Sequence, residues 1–589
     1  MFQKFELRAI PLDSKWFRQR ASHFLAGVGL ELDPELEYLV GVYDSDDRLV
    51  GCGGLQGHTI KCLALSEELR GQNVASTLVS HLYSIARDAG APFVTVFTKP
   101  ENKEMFRSLG FHLIGEAPKA VMMQSSRKGL DDYVAHLRSL PRGRRNGVIV
   151  MNANPLTAGH LFLIRSAAAE CDCLTVIPVA DNPMTLYSYS TRRSILLKAC
   201  SSLPNVTVAE GSEYAISAST FPSYFIKKKS DTSLTHITLD LNIFARHIAP
   251  ALDASVRFVG SEPSDELTAF YNKCMHSILP ESGVEVKEFS RLECDDVPVS
   301  ASNVRRLTEE GRLDEALKIV APDTVPYLLA RAAASALRGE LDLTPKPGLV
   351  DMLDSGSHSD MDHSLMAISI GVLEPWFARM ASVASLSYSP DNREELMADL
   401  VEIGREAEQE MLEATAGVNT HRGAIFAMGL MVAASASILA RGESLSPALL
   451  SAEMAALASF VERNDESHGA EVSRRYGRGG ALDMALDGYA PLFAEWLPAL
   501  RSYRRGGFDF PELRLLLLII STLHDSNALY RAGEEMAAVS AAEAAELLDS
   551  FSIEGVEKLN RAFIQRNISH GGAADMLALT LFADSILPS

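Results

Sequence analysis

The stretch from Gly147 to His160 constrains the fold of this chain more than any other part of the sequence. Residues 148–151 form a short apolar run of the kind that a buried parallel strand needs. A turn follows before an amphipathic helix, and its polar or small residues include Asn152, Asn154, Thr157 and Gly159. The free N–H groups and the dipole at the start of a helix attract anions, and His160 adds a donor aimed at the same place. The pattern predicts an α/β domain with a nucleotide site at the carboxyl end of a strand.

A second stretch, from Val299 to Arg306, reads VSASNVRR and opens another helix. Ser300 and Ser302 are candidate caps for that helix, and Arg305 is a cation that suits phosphate. The stretch resembles the I-S-x-S-x-V-R signature of the nucleotidyltransferase superfamily, whose T/H-x-G-H motif matches residues 157–160. The resemblance implies that both stretches, Ser300 included, contact ATP. The alternative for His160 alone is a capping or packing role.

Length and charge restrict the class of protein. A chain of 589 residues is too long for one hydrophobic core and indicates three or four domains. Its content of 47% hydrophobic and 22% charged residues is typical of a soluble globular protein. The net charge of −21 argues against a nucleic-acid partner, because such partners are held by an excess of cations.

Three features predict a cytoplasmic protein. No basic and apolar leader precedes Glu6, so we expect no signal peptide. The seven cysteines all lie at or before Cys294, without the spacing of a zinc site. The segment from Gly423 to Ala440 carries no charge over 18 residues, the lower limit of a membrane span. Its many small residues favour a helix buried in a bundle, so we expect no membrane association.

Residues 1–125 alternate strand and helix patterns and include the sequence R-G-Q-N-V-A between a strand and a helix. They resemble the α+β fold of the GNAT acyltransferases. The resemblance implies that a turn holds a CoA-like ligand through Arg70, Gly71, Asn73 and Ala75. Asn73 stands where that family usually has glycine, which weakens close backbone approach, and the alternative is a scaffold or docking module. Residues 126–145, a short helix and a basic Pro/Gly stretch, are expected to be a linker.

Residues 146–325 complete a resemblance to the citrate lyase ligase family, which begins with a GNAT-like portion. The middle domain is then a Rossmann-like nucleotidyltransferase. The resemblance implies that acetate attacks the α-phosphate of ATP and that a thiol of the citrate lyase acyl carrier takes the acetyl group. His160 would stabilise charge on the phosphates, and Ser302 and Arg305 would hold the leaving end. The acidic stretch 261–266 suits either Mg²⁺ or a solvated loop, and we favour the loop.

After about Pro326 strand patterns vanish, and residues 326–589 are predicted to form an all-α domain. Five polar loops lead into apolar helices there. The first, within residues 344–362, gathers Asp351, Asp354, Asp360 and Asp362. Carboxylates suit Mg²⁺ bound to a triphosphate, so Asp351, Asp360 and Asp362 are candidate metal ligands. The cations expected to face phosphates are Lys346, Arg422, Arg474 and Arg531. The alternative for each loop alone is a solvated turn or a helix cap.

These loops resemble the triphosphoribosyl-dephospho-CoA synthase family in their order along the chain and in their sequence motifs. The resemblance implies that ATP and dephospho-CoA combine with loss of adenine and that an aspartate activates the attacking hydroxyl. Which of the four aspartates near residue 351 is the base and which bind metal stays open. Further ATP-binding residues implied are His421, His468, Asp525, Asn527, Asn567 and Asp575. His570 and Ala532 stand where the family has proline and glycine, which puts the local loop shape in doubt.

The two resemblances together predict a bifunctional citrate lyase maturation enzyme that uses ATP and Mg²⁺. Three alternatives stay open from sequence alone. The front half is a coenzyme-biosynthesis adenylyltransferase, the helical half serves malonate decarboxylase, or the chain is a non-catalytic docking protein of the lyase complex.

Overall fold

A computed structural model describes residues 5–69, 73–180, 185–215, 229–261, 266–294, 297–462 and 480–588. Four predicted site residues lie outside these ranges, namely Arg70, Gly71, His468 and Arg474. Most of the acidic stretch 261–266 lies outside them as well. The chain divides into two compact units, Met1–Val299 and Ser300–Ser589.

The first unit opens with a seven-stranded sheet in the order β1-β2-β3-β4-β5-β7-β6. Its strands are β1 (Glu6–Ala9), β2 (Tyr38–Tyr43), β3 (Leu49–Gln56), β4 (Thr59–Leu65), β5 (Thr95–Thr98), β6 (His112–Ala117) and β7 (Ala120–Gln124). Its helices are α1 (Lys15–Gly27), α2 (Val74–Asp88) and α3 (Lys103–Ser108), and α4 (Lys128–Ser139) follows the sheet. Neighbouring strands are antiparallel except β4 and β5. That parallel pair is in register at only two positions, Thr59 with Thr95 and Ile60 with Val96. The two strands therefore diverge toward their carboxyl ends.

A second, five-stranded sheet in the same unit has the order β10-β9-β8-β11-β12, and all its strands are parallel. The strands are β8 (Asn146–Met151), β9 (Cys173–Pro178), β10 (Val206–Val208), β11 (Val256–Gly260) and β12 (Glu285–Phe289). The helices are α5 (Ala158–Ala168), α6 (Tyr189–Cys200), α7 (Lys229–Ile243), α8 (Ala249–Leu252) and α9 (Glu266–Ile278). A short ladder, β13 (Glu293–Cys294) with β14 (Val297–Pro298), follows. The chain reverses direction across the sheet between β8 and β11, and ligands bind at such a point in open α/β sheets.

The two sheets share one hydrophobic core. Buried side chains from β6, α4, β8 and α7 belong to it, among them Ile114, Leu130, Val148 and Ile243. Contact between β6 and α7 is so close that a Cβ on Gly115 would lie 2.4 Å from Cγ1 of Ile243. The predicted connecting segment 126–145 thus contains a helix that is packed into the core.

Helices dominate the second unit within the residues that the structure describes. Its helices are α10 (Ala301–Glu309), α11 (Leu313–Ile319), α12 (Val325–Asp342), α13 (His363–Leu386), α14 (Arg393–Ala414), α15 (Arg422–Ala440), α16 (Pro447–Ala458), α17 (Ala481–Leu486), α18 (Leu497–Arg505), α19 (Pro511–Thr522), α20 (Ser526–Asp549), α21 (Ile553–Gln565) and α22 (Gly571–Ile586). Gly533, with φ +78°, kinks α20. The mixed α/β sheets of the first unit and the helix-rich C-terminal half agree with the predicted fold classes at this coarse level.

Helix α15 is the uncharged segment noted in the sequence. It is long and apolar enough to cross a membrane, yet 78% of its apolar window is buried inside the protein. Ala433, Ala434 and Ala436 at its centre are fully buried. The helix therefore packs as the core of a helical bundle, as its small residues predicted.

Candidate active sites

The turn between β8 and α5 holds His160 in a defined state. Thr157 caps α5, because its Oγ1 accepts a hydrogen bond of 3.3 Å from the His160 backbone N–H. In return, Nδ1 of His160 accepts from the Thr157 N–H at 3.1 Å. A backbone N–H only donates, so Nδ1 is the acceptor and the proton of the neutral ring lies on Nε2. The predicted capping role is therefore real, and it leaves Nε2–H as a donor.

The charge of Arg291 and burial both act on this imidazole. Burial, aided by the Arg291 guanidinium, lowers the pKa of His160 to about 4. The ring is consequently neutral at physiological pH. Arg291 follows β12, and its Nε donates to the Ser261 carbonyl at 2.9 Å. Sequence reasoning missed this residue, since one arginine after a strand carries no motif.

The two asparagines of the turn take part in building it. Oδ1 of buried Asn154 accepts from the Leu186 N–H at 2.8 Å. Asn152 is exposed, and its carbonyl accepts from Nη1 of fully buried Arg192 at 2.7 Å. Arg192 also donates to the Val179 carbonyl at 2.9 Å and so joins the ends of β8 and β9. Direct phosphate contacts by Asn152 and Asn154 stay a prediction.

Gly159 allows a close approach in the first turn of α5, because a Cβ there would lie 3.0 Å from the Val299 carbonyl oxygen.

In the second unit, Ser300 caps α10 by accepting from the Asn303 N–H at 3.1 Å. Ser302 is exposed, and its Oγ accepts from Nη2 of Arg305 at 3.1 Å. The serine and arginine predicted to hold phosphate therefore adjoin one another.

Asn73 at the start of α2 has φ +57°, in the left-handed region. Asparagine tolerates that conformation better than other residues with a side chain. The replacement of the family's glycine is therefore compatible with the turn's backbone. Ala75 lies in the first turn of α2 and is partly buried.

In the helical unit, buried Asp351 organises the loop between α12 and α13. Its Oδ1 accepts from the N–H groups of Leu353 at 2.7 Å and Asp354 at 3.1 Å. Its Oδ2 accepts from the Lys346 N–H at 2.8 Å. Three backbone donors thus meet this carboxylate, which fits a loop-organising role better than that of metal ligand or base.

The same loop is hydrogen-bonded to α21 and to the segment between α21 and α22. Asn560 accepts from the Gly348 N–H at 2.8 Å and donates to Oδ2 of Asp354 at 3.1 Å. Nε2 of His358 lies 2.9 Å from Oγ of Ser569. Arg531, on α20, donates to the Ser357 carbonyl at 2.9 Å. Two predicted residues, Asp354 and Arg531, therefore take part in the contacts of this loop with other segments.

Asp525 joins the starts of two helices. Its Oδ1 accepts from the Asn527 N–H at 2.8 Å and from the Ala528 N–H at 3.2 Å, which caps α20. Its Oδ2 accepts from the Ala573 N–H of α22 at 2.9 Å. The Nδ2 group of Asn527 lies against Gly571, where a Cβ would be 2.8 Å away. Asp525 thus positions both helices. Asn567, which follows α21, is exposed and has a φ of +55°.

Two predicted cations already have carboxylate partners. Nζ of buried Lys346 lies 2.5 Å from Oε1 of Glu340 and also donates to the Glu340 carbonyl. Arg422 is exposed and pairs with Glu408 through Nε at 2.6 Å. Their phosphate contacts stay a prediction.

His421 is 3% exposed and precedes α15. Its Nδ1 lies 2.8 Å from Oγ of Ser369, whereas Nε2 is buried and has no hydrogen-bond partner among the described residues. Burial, with Lys346 nearby, lowers the pKa of His421 to about 4.

Three families match this chain in succession. The acetyltransferase (GNAT) family matches residues 5–111, and the citrate lyase ligase C-terminal domain matches residues 146–328. The ATP:dephospho-CoA triphosphoribosyl transferase family matches residues 326–588.

Relatives match the two halves over nearly their whole lengths. A citrate (pro-3S)-lyase ligase of Escherichia coli K12 is 37% identical over 314 residues, 52% of this chain and 89% of the relative. The ligase of Klebsiella pneumoniae is 36% identical over 54% of this chain and 95% of the relative. A probable 2-(5''-triphosphoribosyl)-3'-dephosphocoenzyme-A synthase of Stutzerimonas stutzeri A1501 is 42% identical over 44% of this chain and 92% of the relative. The chain belongs to both families.

We refer to residues 146–328 as the ligase part and to residues 326–588 as the synthase part. Within the described ranges, the structure forms no group of three or more His, Cys, Asp or Glu side chains that could hold a metal ion. Of the predicted metal ligands in the synthase part, Asp360 and Asp362 are exposed, whereas Asp351 is buried. Asp362 also caps α13 by accepting from the Leu365 N–H at 2.8 Å. A metal cage made by protein alone is therefore not present among these residues.

Proposed function

We propose that this protein is a bifunctional citrate lyase maturation enzyme of the cytoplasm. One activity acetylates the prosthetic thiol of the lyase's acyl carrier, and the other makes the precursor of that prosthetic group. The observation that carries the proposal is the tandem arrangement. A single chain covers 89% of a ligase relative and 92% of a synthase relative, in succession. Six free cysteines among the described residues are consistent with a reducing compartment.

In the ligase part, an oxygen of acetate attacks the α-phosphorus of ATP, and the bond to the β-phosphate oxygen breaks. Pyrophosphate leaves, and the carrier thiol then displaces AMP from the acetyl adenylate. The neutral His160 supports this step because its Nε2–H can donate to a phosphate oxygen as charge develops. Arg291 adds a positive charge near that imidazole. Ser302 and Arg305 would hold the departing phosphates.

In the synthase part, the bond from ribose C1 of ATP to adenine breaks, and C1 bonds to the ribose 2′-oxygen of dephospho-CoA. The hydroxyl proton is lost, and adenine takes up a proton as it leaves. Arg531 is an exposed cation that contacts the loop between α12 and α13 and can face the triphosphate. Buried Asp351 holds the loop on which Asp354, Asp360 and Asp362 lie.

Mg²⁺ fits this part as a companion of the triphosphate. Such an ion keeps several waters and needs only one or two protein carboxylates besides phosphate oxygens. Asp360 and Asp362 meet that need, because both are exposed at the start of α13. When bound, Mg²⁺ would neutralise charge on the triphosphate.

The test is product analysis with the purified full-length protein and Mg-ATP. Acetate with the deacetylated carrier should yield AMP, and dephospho-CoA should yield free adenine with a triphosphorylated product. Formation of a dinucleotide without acetate would indicate a coenzyme adenylyltransferase instead. Binding of the carrier without release of AMP or adenine would indicate a non-catalytic docking protein. Transfer of the product only to a malonate decarboxylase carrier would place the synthase part in that system.

A further inference from the structure

Asp575, on the second turn of α22, lies against the start of α15. A Cβ added to Gly423 would be 2.1 Å from its Oδ2, so the carboxyl group occupies the space that a side chain would need. The residue is partly accessible rather than fully buried. Its carboxyl group makes no hydrogen bond with any residue in the described ranges. A ligand can therefore reach it.

Two buried polar atoms in this part of the bundle have no hydrogen-bond partner among the described residues. One is Oη of Tyr489, which interacts electrostatically with Asp575, and the other is Nε2 of His421, two positions before Gly423 in the chain. The two side chains are 0% and 3% exposed, respectively. Buried polar atoms in proteins nearly always have partners, so each exception requires an explanation. A polar ligand between these groups is the explanation that serves both.

The surroundings disfavour ionisation of Asp575. Burial and the neighbouring carboxylates of Glu340 and Asp525 raise the pKa of Asp575 well above its ordinary value. The one nearby ammonium, that of Lys346, is already paired with Glu340. His421 is neutral, and Asp525 is engaged by three backbone N–H groups. Burial and the two carboxylates that act on Asp575 therefore oppose its ionised form.

We propose that the Asp575 carboxyl group binds the adenine ring of ATP and gives its proton to N7 as the ring leaves. This inference rests on the proposed synthase function and names the residue that recognises and protonates its leaving group. A neutral carboxyl group offers one O–H donor and one carbonyl acceptor. Adenine offers the matching pair on one edge, the N7 acceptor and the N6 amino donor. His421 and Tyr489 complete the polar lining for the ring.

The step balances in atoms and charge. The Asp575 proton bonds to N7, the bond from C1 to N9 breaks, and its electron pair remains on the ring, so that neutral adenine leaves. The 2′-oxygen of dephospho-CoA bonds to C1 and loses its proton. Uptake of one proton returns Asp575 to its acid form.

The charged and titratable groups around Asp575 come from several elements. Among the described residues, Glu340 on α12, Asp525 before α20 and Tyr489 after α17 interact with Asp575 itself. Lys346 and His421 interact with one another, and His570, before α22, interacts with Asp525. His570 and His421 are neutral because burial lowers both pKa values. Loss of the acid form of Asp575 at high pH should therefore lower adenine release.

The first test compares Asp575→Asn with Asp575→Ala in the full chain. An amide still offers a donor and an acceptor to adenine but has no proton to give. We expect Asp575→Asn to bind Mg-ATP within about threefold of the wild type and to release adenine about 100- to 10,000-fold more slowly. Asp575→Ala should lose both binding and turnover. A merely structural residue would not separate binding from turnover in this way.

A second test displaces the carboxyl group without changing it. Gly423→Ala places a methyl group where Oδ2 lies, whereas Gly371→Ala on α13 meets nothing within 4 Å and is the matched control. We expect Gly423→Ala to slow adenine release at least 100-fold and the control to stay within twofold of the wild type. Thermal unfolding of both variants shows whether the fold is retained.

A third test needs no variant. 7-Deaza-ATP carries carbon in place of N7, so it cannot accept the Asp575 hydrogen. The wild type should bind it about tenfold more weakly than ATP and release no base from it. Equal affinity, or an Asp575→Asn variant that releases adenine at the wild-type rate, would overturn the assignment of Asp575 alone. A wild type that releases no adenine from ATP and dephospho-CoA would overturn the proposed synthase function itself.

Discussion

At the scale of single residues, His160 shows how a local contact prepares a side chain for chemistry. The Thr157 N–H occupies Nδ1 and thereby fixes the proton of the neutral ring on Nε2. A cap and a ligand contact are usually competing interpretations of a histidine at a helix start. Here one ring serves both, because the two nitrogens have different partners.

Replacement of His160 by alanine should reduce AMP formation about 100- to 1,000-fold, since one preorganised donor to the phosphates is lost. Adenine release should be unchanged. The matched control is His276→Ala, which removes an exposed histidine on α9. AMP and adenine are quantified by chromatography in the same reaction, and equal loss of both products would contradict separate sites.

Two histidines, partly buried His160 and buried His421, should make stability depend on pH. His160 and His421 both have folded-state pKa values of about 4, below their ordinary value near 6.5. Between these two values the unfolded chain binds more protons than the folded one. The stabilisation is therefore complete above about pH 6.5 and is lost as pH falls toward about 4.

Chemical unfolding at pH 7 and pH 5 measures this effect. Each histidine should contribute about 1.4 kcal/mol per pH unit within the window. His421→Gln should flatten the pH dependence of the second unit. An unchanged dependence in that variant would show that other groups govern it.

At the scale of elements, prediction from sequence succeeded where the signal is local. The apolar run of β8 and the turn residues before α5 lie next to each other in the chain, so their pattern is readable. Arg291 escaped prediction because its partner, the Ser261 carbonyl, is distant in the sequence. The double role of Asp525 was hidden for the same reason, since its second partner is Ala573.

The Asp525 contacts lead to a prediction about helix pairing. Asp525→Ala removes three charge-assisted bonds at the starts of α20 and α22, and it should lower the free energy of unfolding by about 2–4 kcal/mol. Ser552→Ala is the control, because exposed Ser552 caps α21 through one bond, to the Gly555 N–H. That change should cost about 1 kcal/mol. Urea unfolding of the two variants compares the losses, and equal values would contradict a joining role.

At the scale of the whole molecule, the first sheet and the nucleotidyltransferase sheet are one folding body. Their common core contains Ile114 of β6, Leu130 of α4 and Ile243 of α7. A chain that begins at Asn146 lacks β6 and α4 and would expose the apolar face of α7. We expect it to aggregate, whereas residues 1–299, the first compact unit, should be monodisperse in size-exclusion chromatography. A monodisperse, folded chain from Asn146 onward would contradict the shared core.

The shared core has a consequence for how such a gene can be rearranged. The acetyltransferase-like segment contributes side chains to the hydrophobic core of its neighbour. Recombination that moved the nucleotidyltransferase segment alone would therefore yield an insoluble protein. Only recombination breakpoints outside the region that encodes this shared core leave both recombinant proteins able to fold. Inheritance should therefore preserve the first two segments together, even in lineages where the helical synthase is encoded separately.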